Sequence, residues 1–143
     1  MRLNSIGKVA HEEWWRSEKL RSEIRLDAFV VMPNHVHGIV FLNGRRGTAR
    51  RAPTAERFGK PTAQSLPTFI RAYKSAVTKR INELRISSGA PVWQRNYYEH
   101  IIRGKEELDR IREYVAANPL RWPFDPENPA ASTDPDGEFP WEP

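Results

Sequence analysis

The chain has 143 residues, 38% of them hydrophobic, which suits one modest domain with a limited core. No apolar stretch is long enough to span a bilayer, no signal peptide is evident, and the lack of cysteine excludes disulfides and thiolate metal sites. The net charge of +5 combines −6 on residues 123–143 with +11 on residues 1–122. So large a positive charge fits a nucleic-acid-binding protein and a well-solvated surface about equally well.

The first elements in chain order are a predicted helix and a predicted hairpin. Residues 5–21 carry apolar side chains at helical spacing, with Ser5 as the expected cap. Residues 24–32 alternate between apolar and polar side chains at first and end in an apolar run, and this pattern predicts a strand. The turn pair Pro33-Asn34 then leads into a second predicted strand, residues 35–42, hairpinned to the first.

Residues 44–64 interrupt this pattern with many basic residues, glycines and prolines around the single acid Glu56. The composition predicts a mobile basic loop. A solvated linker and an arm that contacts phosphates fit it equally well. The arginines that would make such contacts include Arg45, Arg46, Arg50 and Arg51.

The later part of the chain predicts helices around a strand-forming segment. Residues 66–85 regain the helical period, with Pro67 near the first turn, and residues 87–91 end this helix. Residues 92–94 and 98–102 predict one or two short strands. A final helix is expected from Gly104 to about Ala117, ended by Asn118-Pro119, and the Pro-rich acidic tail 123–143 is expected to be extended or disordered.

Two histidines of the second predicted strand, His35 and His37, lie two positions apart. Alternate residues of a strand point to the same face, so both imidazoles should project side by side. Two neutral imidazoles facing one point are the beginning of a divalent-metal site. Taken alone, the pair fits two polar positions on the open face of a hairpin at least as well.

The final predicted helix places Tyr114 and Asn118 about one turn apart, on the same side. A nearby divalent cation or basic side chain would favour the phenolate of Tyr114, which would make it a nucleophile. The amide oxygen of Asn118 can serve as a third ligand beside two histidine nitrogens, a set that suits Mg²⁺ or Mn²⁺ and leaves Zn²⁺ open. A half-buried tyrosine and a helix-ending asparagine are the ordinary alternatives.

Three segments carry a family resemblance: residues 27–39 (DAFVVMPNHVHGI), 92–103 (VWQRNYYEHIIR) and 111–119 (IREYVAANP). Together they resemble the signature of the REP-associated tyrosine transposases, relatives of the single-tyrosine transposases of the insertion-sequence 200 type. These belong to the HUH superfamily (histidine, hydrophobic residue, histidine). The segments stand in the family's order, and the similarity covers most of residues 3–122.

The resemblance implies a metal-dependent endonuclease and strand-transferase of single-stranded DNA. His35 and His37 would bind the metal, Asn118 would complete its site, and Tyr114 would attack a phosphodiester and hold the 5′ end as a phosphotyrosine. Family substrates are hairpins formed by short imperfect palindromes. The expected location is therefore the cytoplasm, in association with the nucleoid, and both a monomer and a homodimer occur among relatives.

The resemblance also implies an α/β (α+β) domain over residues 1–122, an antiparallel sheet with helices on one face, as in the ferredoxin-like HUH fold. Members of the family usually carry several tens of residues before the point where this chain begins, including the first strand of the sheet. The expectation is therefore a chain that lacks this strand and exposes a sheet edge.

Two other functions stay open from the sequence. One is a DNA-binding remnant without catalysis, and the other is a histidine-metal phosphoesterase that does not use the tyrosine. The arginine-rich loop and helix argue against a small-molecule enzyme. His100 is a candidate neighbour of the site, and the candidate phosphate contacts outside the loop, each equally well a solvated charge, are Arg71, Lys74, Lys79 and Arg103.

Overall fold

The computed structural model describes residues 2–43, 65–86, 89–125 and 128–132. Over these ranges the chain is an α+β protein with three helices and a two-stranded antiparallel sheet, which confirms the predicted mixed class. The predicted basic loop, with Arg45, Arg46, Arg50 and Arg51, lies outside the described residues. In chain order the elements are α1 (Ser5–Leu20), β1 (Ile24–Val31), β2 (Val36–Leu42), α2 (Leu66–Leu84), α3 (Lys105–Arg121) and a 3-10 turn (Trp122–Phe124).

The chain divides into two compact units. The first, called here the helical unit, contains α1, α2 and the flanking residues through 26 and from 40 to 95. The second, called the hairpin unit, contains the hairpin tip 27–39 together with α3 and the 3-10 turn. None of the helices in the described part of the chain is both long and apolar enough to cross a bilayer.

Helix α1 begins one residue after its cap, Asn4, rather than after a capping Ser5. The Asn4 side chain accepts a hydrogen bond from the Gly7 N–H at 2.8 Å, while its own backbone is extended. Asparagine and serine are both strong caps, so the sequence pattern alone does not choose between neighbouring positions. The prediction of Ser5 as the cap is therefore wrong, because the cap is the preceding residue, Asn4.

The core of the helical unit lies between α1 and α2. The Trp14 ring makes T-shaped contacts with Phe69 and Tyr73, at centroid distances of 5.4 and 5.3 Å, and all three side chains are buried. The Tyr73 hydroxyl donates to the Ala10 carbonyl at 3.0 Å, which satisfies its polar end. The helical period predicted for both segments therefore supplies one continuous apolar interface.

A buried carboxylate also joins α1 to α2. Glu13 is only 5% exposed, and its carboxylate accepts hydrogen bonds from Arg80 at 2.8 Å and Arg16 at 3.4 Å. Arg80 also donates to Glu12 at 2.7 Å. Because an unpaired buried carboxylate would cost several kcal/mol, roughly, Arg80 compensates a charge that the apolar interface could not hold alone.

We expect Ile81→Ala to lower the free energy of unfolding by about 2–5 kcal/mol, because Ile81 is fully buried and its loss leaves a cavity. Lys79→Ala, on the exposed face of the same helix, should change it by no more than about 0.5 kcal/mol. Urea denaturation followed by circular dichroism measures both. Equal effects of the two variants would contradict this description of the core.

The predicted hairpin is confirmed, with each strand one residue shorter than expected at the turn. The Met32 N–H donates to the His35 carbonyl at 2.8 Å just beyond the strand ends. At the far end of the pair, the Asn43 N–H donates to the Glu23 carbonyl at 2.7 Å. The Glu18 carboxylate accepts the Leu26 N–H at 2.8 Å and so satisfies one donor of β1.

The prediction of strands at 92–94 and 98–102 is wrong for this structure: no strand occurs between α2 and α3 among the residues described there. A strand requires a partner for its backbone, and here side chains hold the segment instead. The Trp93 indole donates to the Lys74 carbonyl at 3.1 Å, and the Glu107 carboxylate accepts the Arg103 N–H at 2.8 Å. The apolar side chains Tyr97, Tyr98 and Ile101 remain exposed.

Helix α3 continues through Asn118-Pro119 to Arg121, so the predicted helix end is wrong. Proline removes one N–H donor, but the Trp122 N–H still donates to the Asn118 carbonyl and closes the last turn. The predicted extended tail is also wrong at its start, since Pro123 lies in a 3-10 turn and its carbonyl accepts the Ser132 N–H at 2.9 Å. Residues 133–143 lie outside the described part, and the domain boundary at 122 stays a prediction.

Candidate metal and nucleophile site

The hairpin tip brings the two predicted imidazoles together. The Nε2 atoms of His35 and His37 are 2.9 Å apart, and the two rings are nearly perpendicular. The Nδ1 atom of His35 lies 2.6 Å from the Asn34 side-chain oxygen. If Nδ1 carries the proton and donates it to Asn34, the Nε2 lone pair of His35 is available for a ligand.

The spacing of these nitrogens fits a shared ion. Two ligands at right angles, each about 2.1 Å from a metal, are about 3.0 Å apart. The observed 2.9 Å is close to this value. Within the described ranges, no three histidine, aspartate, glutamate or cysteine side chains form a metal-binding group, so the predicted ligand set depends on the amide of Asn118.

Burial and the second imidazole keep His37 neutral. The pKa of His37 is lowered from its usual 6.5 to about 4. Desolvation is the main cause, the nearby His35 adds to the lowering, and the charge of Asp125 acts in the opposite direction. A neutral imidazole retains the lone pair that a metal requires. His37 is therefore in the protonation state for ligation at neutral pH.

The lowered pKa predicts a loss of stability in acid. The unfolded chain binds a proton at His37 more readily than the folded chain does. The contribution of His37 to the free energy of unfolding is therefore fully present above about pH 6.5 and is lost as the pH falls towards about 4. In an NMR titration, the Cε1 proton of His37 should therefore begin to shift only below about pH 5.5. A midpoint near pH 6.5 would contradict the burial of this ring.

Tyr114 lies beside His37 in the hairpin unit. The two ring centroids are 5.4 Å apart with the planes at 79°, an edge-to-face contact. Tyr114 is half-buried, and the next residue, Val115, is buried. The predicted nucleophile and a predicted metal ligand are thus in direct ring contact.

An ion pair fixes the turn of α3 that carries Tyr114. Arg112 donates to both carboxylate oxygens of Asp27 on β1, at 3.2 and 2.5 Å. Such a bidentate pair restricts orientation as well as distance. Arg112 also donates to Asp109 at 3.0 Å, which holds its side chain along the helix. Arg112 therefore positions Tyr114 relative to the strand that leads into the histidine motif.

Asn118 has an unsatisfied amide. The side chain is 4% exposed, and its Nδ2 atom is buried without a hydrogen-bond partner among the described residues. Rotation of the side-chain amide by 180° would place its oxygen at this position. An amide turned in this way would offer its buried oxygen to a hard cation, which prefers oxygen ligands.

Two residues near the histidines were not predicted. The ring centroid of Trp122 lies 6.3 Å from that of His35, and the charge of Asp125 acts on His37. Both follow the proline at which the sequence pattern ended the helix. Both residues are placed by the 3-10 turn. The one feature of the sequence that marks this turn is Pro123, and proline usually indicates the end of a helix.

The predicted phosphate contacts outside the loop lie on α2 and on the segment before α3. Arg71 and Lys79 are exposed on α2, and Arg103 is exposed before α3. Lys74 donates to the Gln94 carbonyl at 3.3 Å and lies over the Trp93 ring, and burial lowers its pKa. His100 lies against Glu107, with Nε2 2.7 Å from a carboxylate oxygen.

A protein of Haemophilus influenzae, described as uncharacterized, is 34% identical to this chain over 129 residues. The match covers 87% of this chain and 71% of that protein. No family model matches the chain, and no solved structure matches it.

Proposed function

This chain belongs to the same protein family as the Haemophilus influenzae protein. We propose that it is a metal-dependent endonuclease and strand-transferase of single-stranded DNA, a transposase that acts through Tyr114. One observation carries the proposal: the Tyr114 ring contacts the His37 ring beside a pair of imidazole nitrogens 2.9 Å apart. A phosphoesterase that used only the histidines would not require a tyrosine at this position.

The proposed reaction is a transfer of one phosphodiester to Tyr114. The tyrosine oxygen bonds to phosphorus as the bond from phosphorus to the 3′ oxygen breaks, and the tyrosine proton ends on the released 3′ hydroxyl. Attack by another 3′ hydroxyl reverses these steps and frees the tyrosine. Because the phosphotyrosine conserves the bond energy, joining needs no ATP.

His35, His37 and Asn118 are the residues that would hold Mg²⁺ or Mn²⁺. When bound, the ion would polarise a phosphate oxygen and favour the tyrosine phenolate. His37 would keep the Tyr114 ring in place through their edge contact, and Arg112 would hold the helix turn through Asp27. The buried position of Asn118 limits the water that could compete for its amide.

The proposal extends to the fold and to the substrate. An antiparallel sheet with helices on one face, as in the ferredoxin-like HUH fold, is compatible with the observed order of helices and hairpin. Hairpin-forming single-stranded DNA is the proposed substrate, and the charge of +11 on residues 1–122 supports it. The proposed location is the nucleoid, and a homodimer remains part of the hypothesis.

The test is to incubate the protein with Mn²⁺ and labelled single-stranded DNA that contains a hairpin, then to separate the products on a denaturing gel. We expect a cleaved strand and a covalent protein–DNA adduct. Hairpin binding without an adduct or cleavage would instead indicate a DNA-binding remnant. Equal turnover of p-nitrophenyl phosphodiesters by the wild type and Tyr114→Phe would indicate a phosphoesterase.

A further inference from the structure

The solvent face of α1 carries two lysines around an aromatic pair. At 100° per residue, Lys8, His11, Trp15 and Lys19 fall within an arc of about 80°, opposite the buried side of the helix. Lys8, His11 and Lys19 are exposed, and Trp15 is 36% exposed. This group of four residues is called here the α1 strip.

Each acid of α1 already has a partner in the helical unit. Glu12 and Glu13 bind Arg80, and Glu18 accepts the Leu26 N–H. Lys8 and Lys19 form no ion pair with any described residue. The four residues of the α1 strip therefore include two cations and no acid.

The exposed indole is oriented in advance. The Trp15 Nε1–H donates to Nε2 of His11 at 3.2 Å, and the two rings meet at 63°. Its polar end is therefore already satisfied, and what it offers a ligand is an aromatic surface. The neighbouring Trp14 is buried in the core, so core packing does not account for a tryptophan at position 15.

We propose that the α1 strip binds single-stranded DNA, with a base stacked on Trp15 and phosphates at Lys8 and Lys19. An aromatic surface flanked by cations is the arrangement that binds single strands without reading their sequence. The two lysines are about 16 Å apart along the helix axis, a span that several nucleotides of an extended strand would cover. The inference rests on the proposed function in taking single-stranded DNA as the partner.

The test measures fluorescence anisotropy of labelled oligothymidylate, which cannot form a hairpin, with the full chain and its variants. We expect Trp15→Ala to weaken binding roughly 10-fold at every salt concentration, and Trp15→Phe to weaken it less than about 3-fold. Circular dichroism should show both variants folded, because Trp15 lies outside the core. Unchanged binding by Trp15→Ala would overturn the stacking assignment.

The salt dependence tests the lysines separately. Lys8→Ala and Lys19→Ala should each reduce the slope of log affinity against log salt by about 0.7, the value for one phosphate contact on a single strand. Lys105→Ala is the matched control, because Lys105 is an exposed lysine of α3 that already pairs with Asp109 one turn further along the same helix. Equal slopes for all three variants would overturn the phosphate assignment.

This inference and the proposed function can fail independently. Loss of oligothymidylate binding in Trp15→Ala, without any adduct by the wild type on hairpin DNA, would support the strip and reject the proposed function. Adduct formation with oligothymidylate binding unaffected by Trp15→Ala would do the reverse. Equal affinity for oligothymidylate and for a blunt duplex would reject the strip, because a stacked base platform requires unpaired bases.

Discussion

Mn²⁺-dependent cleavage of hairpin-bearing single-stranded DNA is expected to fall by more than roughly 100-fold when His37 is replaced by alanine. Removing a group that only orients a metal ligand costs roughly 10- to 100-fold. His37 is proposed to be a ligand itself, so its removal should cost more. Its Nε2 atom lies 2.9 Å from that of His35, so His35→Ala should show a loss of similar size. Gel quantification of cleaved DNA over a range of Mn²⁺ concentrations measures both.

A matched control separates ligand loss from disturbed packing. Val115→Ala removes buried methyl groups from α3, the helix that carries Tyr114, without removing an imidazole. At a temperature where all variants are folded, Val115→Ala should keep most of the cleavage activity and bind Mn²⁺ in calorimetry. Cleavage by His37→Ala at the wild-type rate would reject the metal site, whatever the stability of the variants.

Tyr114→Phe is expected to abolish adduct formation and to reduce cleavage at least roughly 10⁴-fold, because loss of a catalytic nucleophile costs about 10⁴ to 10⁶ in rate. The substitution removes one oxygen and leaves the ring that contacts His37. Hairpin binding, measured by a mobility shift without metal, should therefore change little. Cleavage and binding are thus expected to separate in this variant.

The same change elsewhere gives the control for Tyr114. Tyr98 is 67% exposed and lies in the segment before α3, so Tyr98→Phe should retain adduct formation. An adduct that persists in Tyr114→Phe and disappears in Tyr98→Phe would move the nucleophile to the segment between α2 and α3. Such a result would contradict the site proposed here.

Much of the fold was predictable because its elements have strong local patterns. The apolar periods of α1 and α2 and the alternation in β1 identify these three elements, and their bounds agree with the prediction to within one residue. The wrong predictions concern segments whose structure depends on contacts with residues that are distant in sequence. The segment 92–102 has strand-forming residues, but its side chains bind Lys74 and Glu107 instead of a neighbouring strand.

The site was predictable to a similar extent. Alternation along a strand predicted that His35 and His37 would project together, and their 2.9 Å separation confirms it. The ring contact between Tyr114 and His37 joins residues that are distant in sequence, and spacing alone could not supply it. Trp122 and Asp125 were missed because helix α3 continues past Pro119, where local rules predict that it ends.

The most direct measurement is mass spectrometry of the protein after reaction with hairpin-bearing single-stranded DNA and Mn²⁺. After nuclease and protease digestion, the peptide that contains Tyr114 should carry a 5′-linked nucleotide, and fragmentation should place it on the Tyr114 oxygen. EDTA should prevent the modification. A nucleotide on another residue, or cleavage without any modified peptide, would contradict the assignment of Tyr114 as the nucleophile beside the His35–His37 pair.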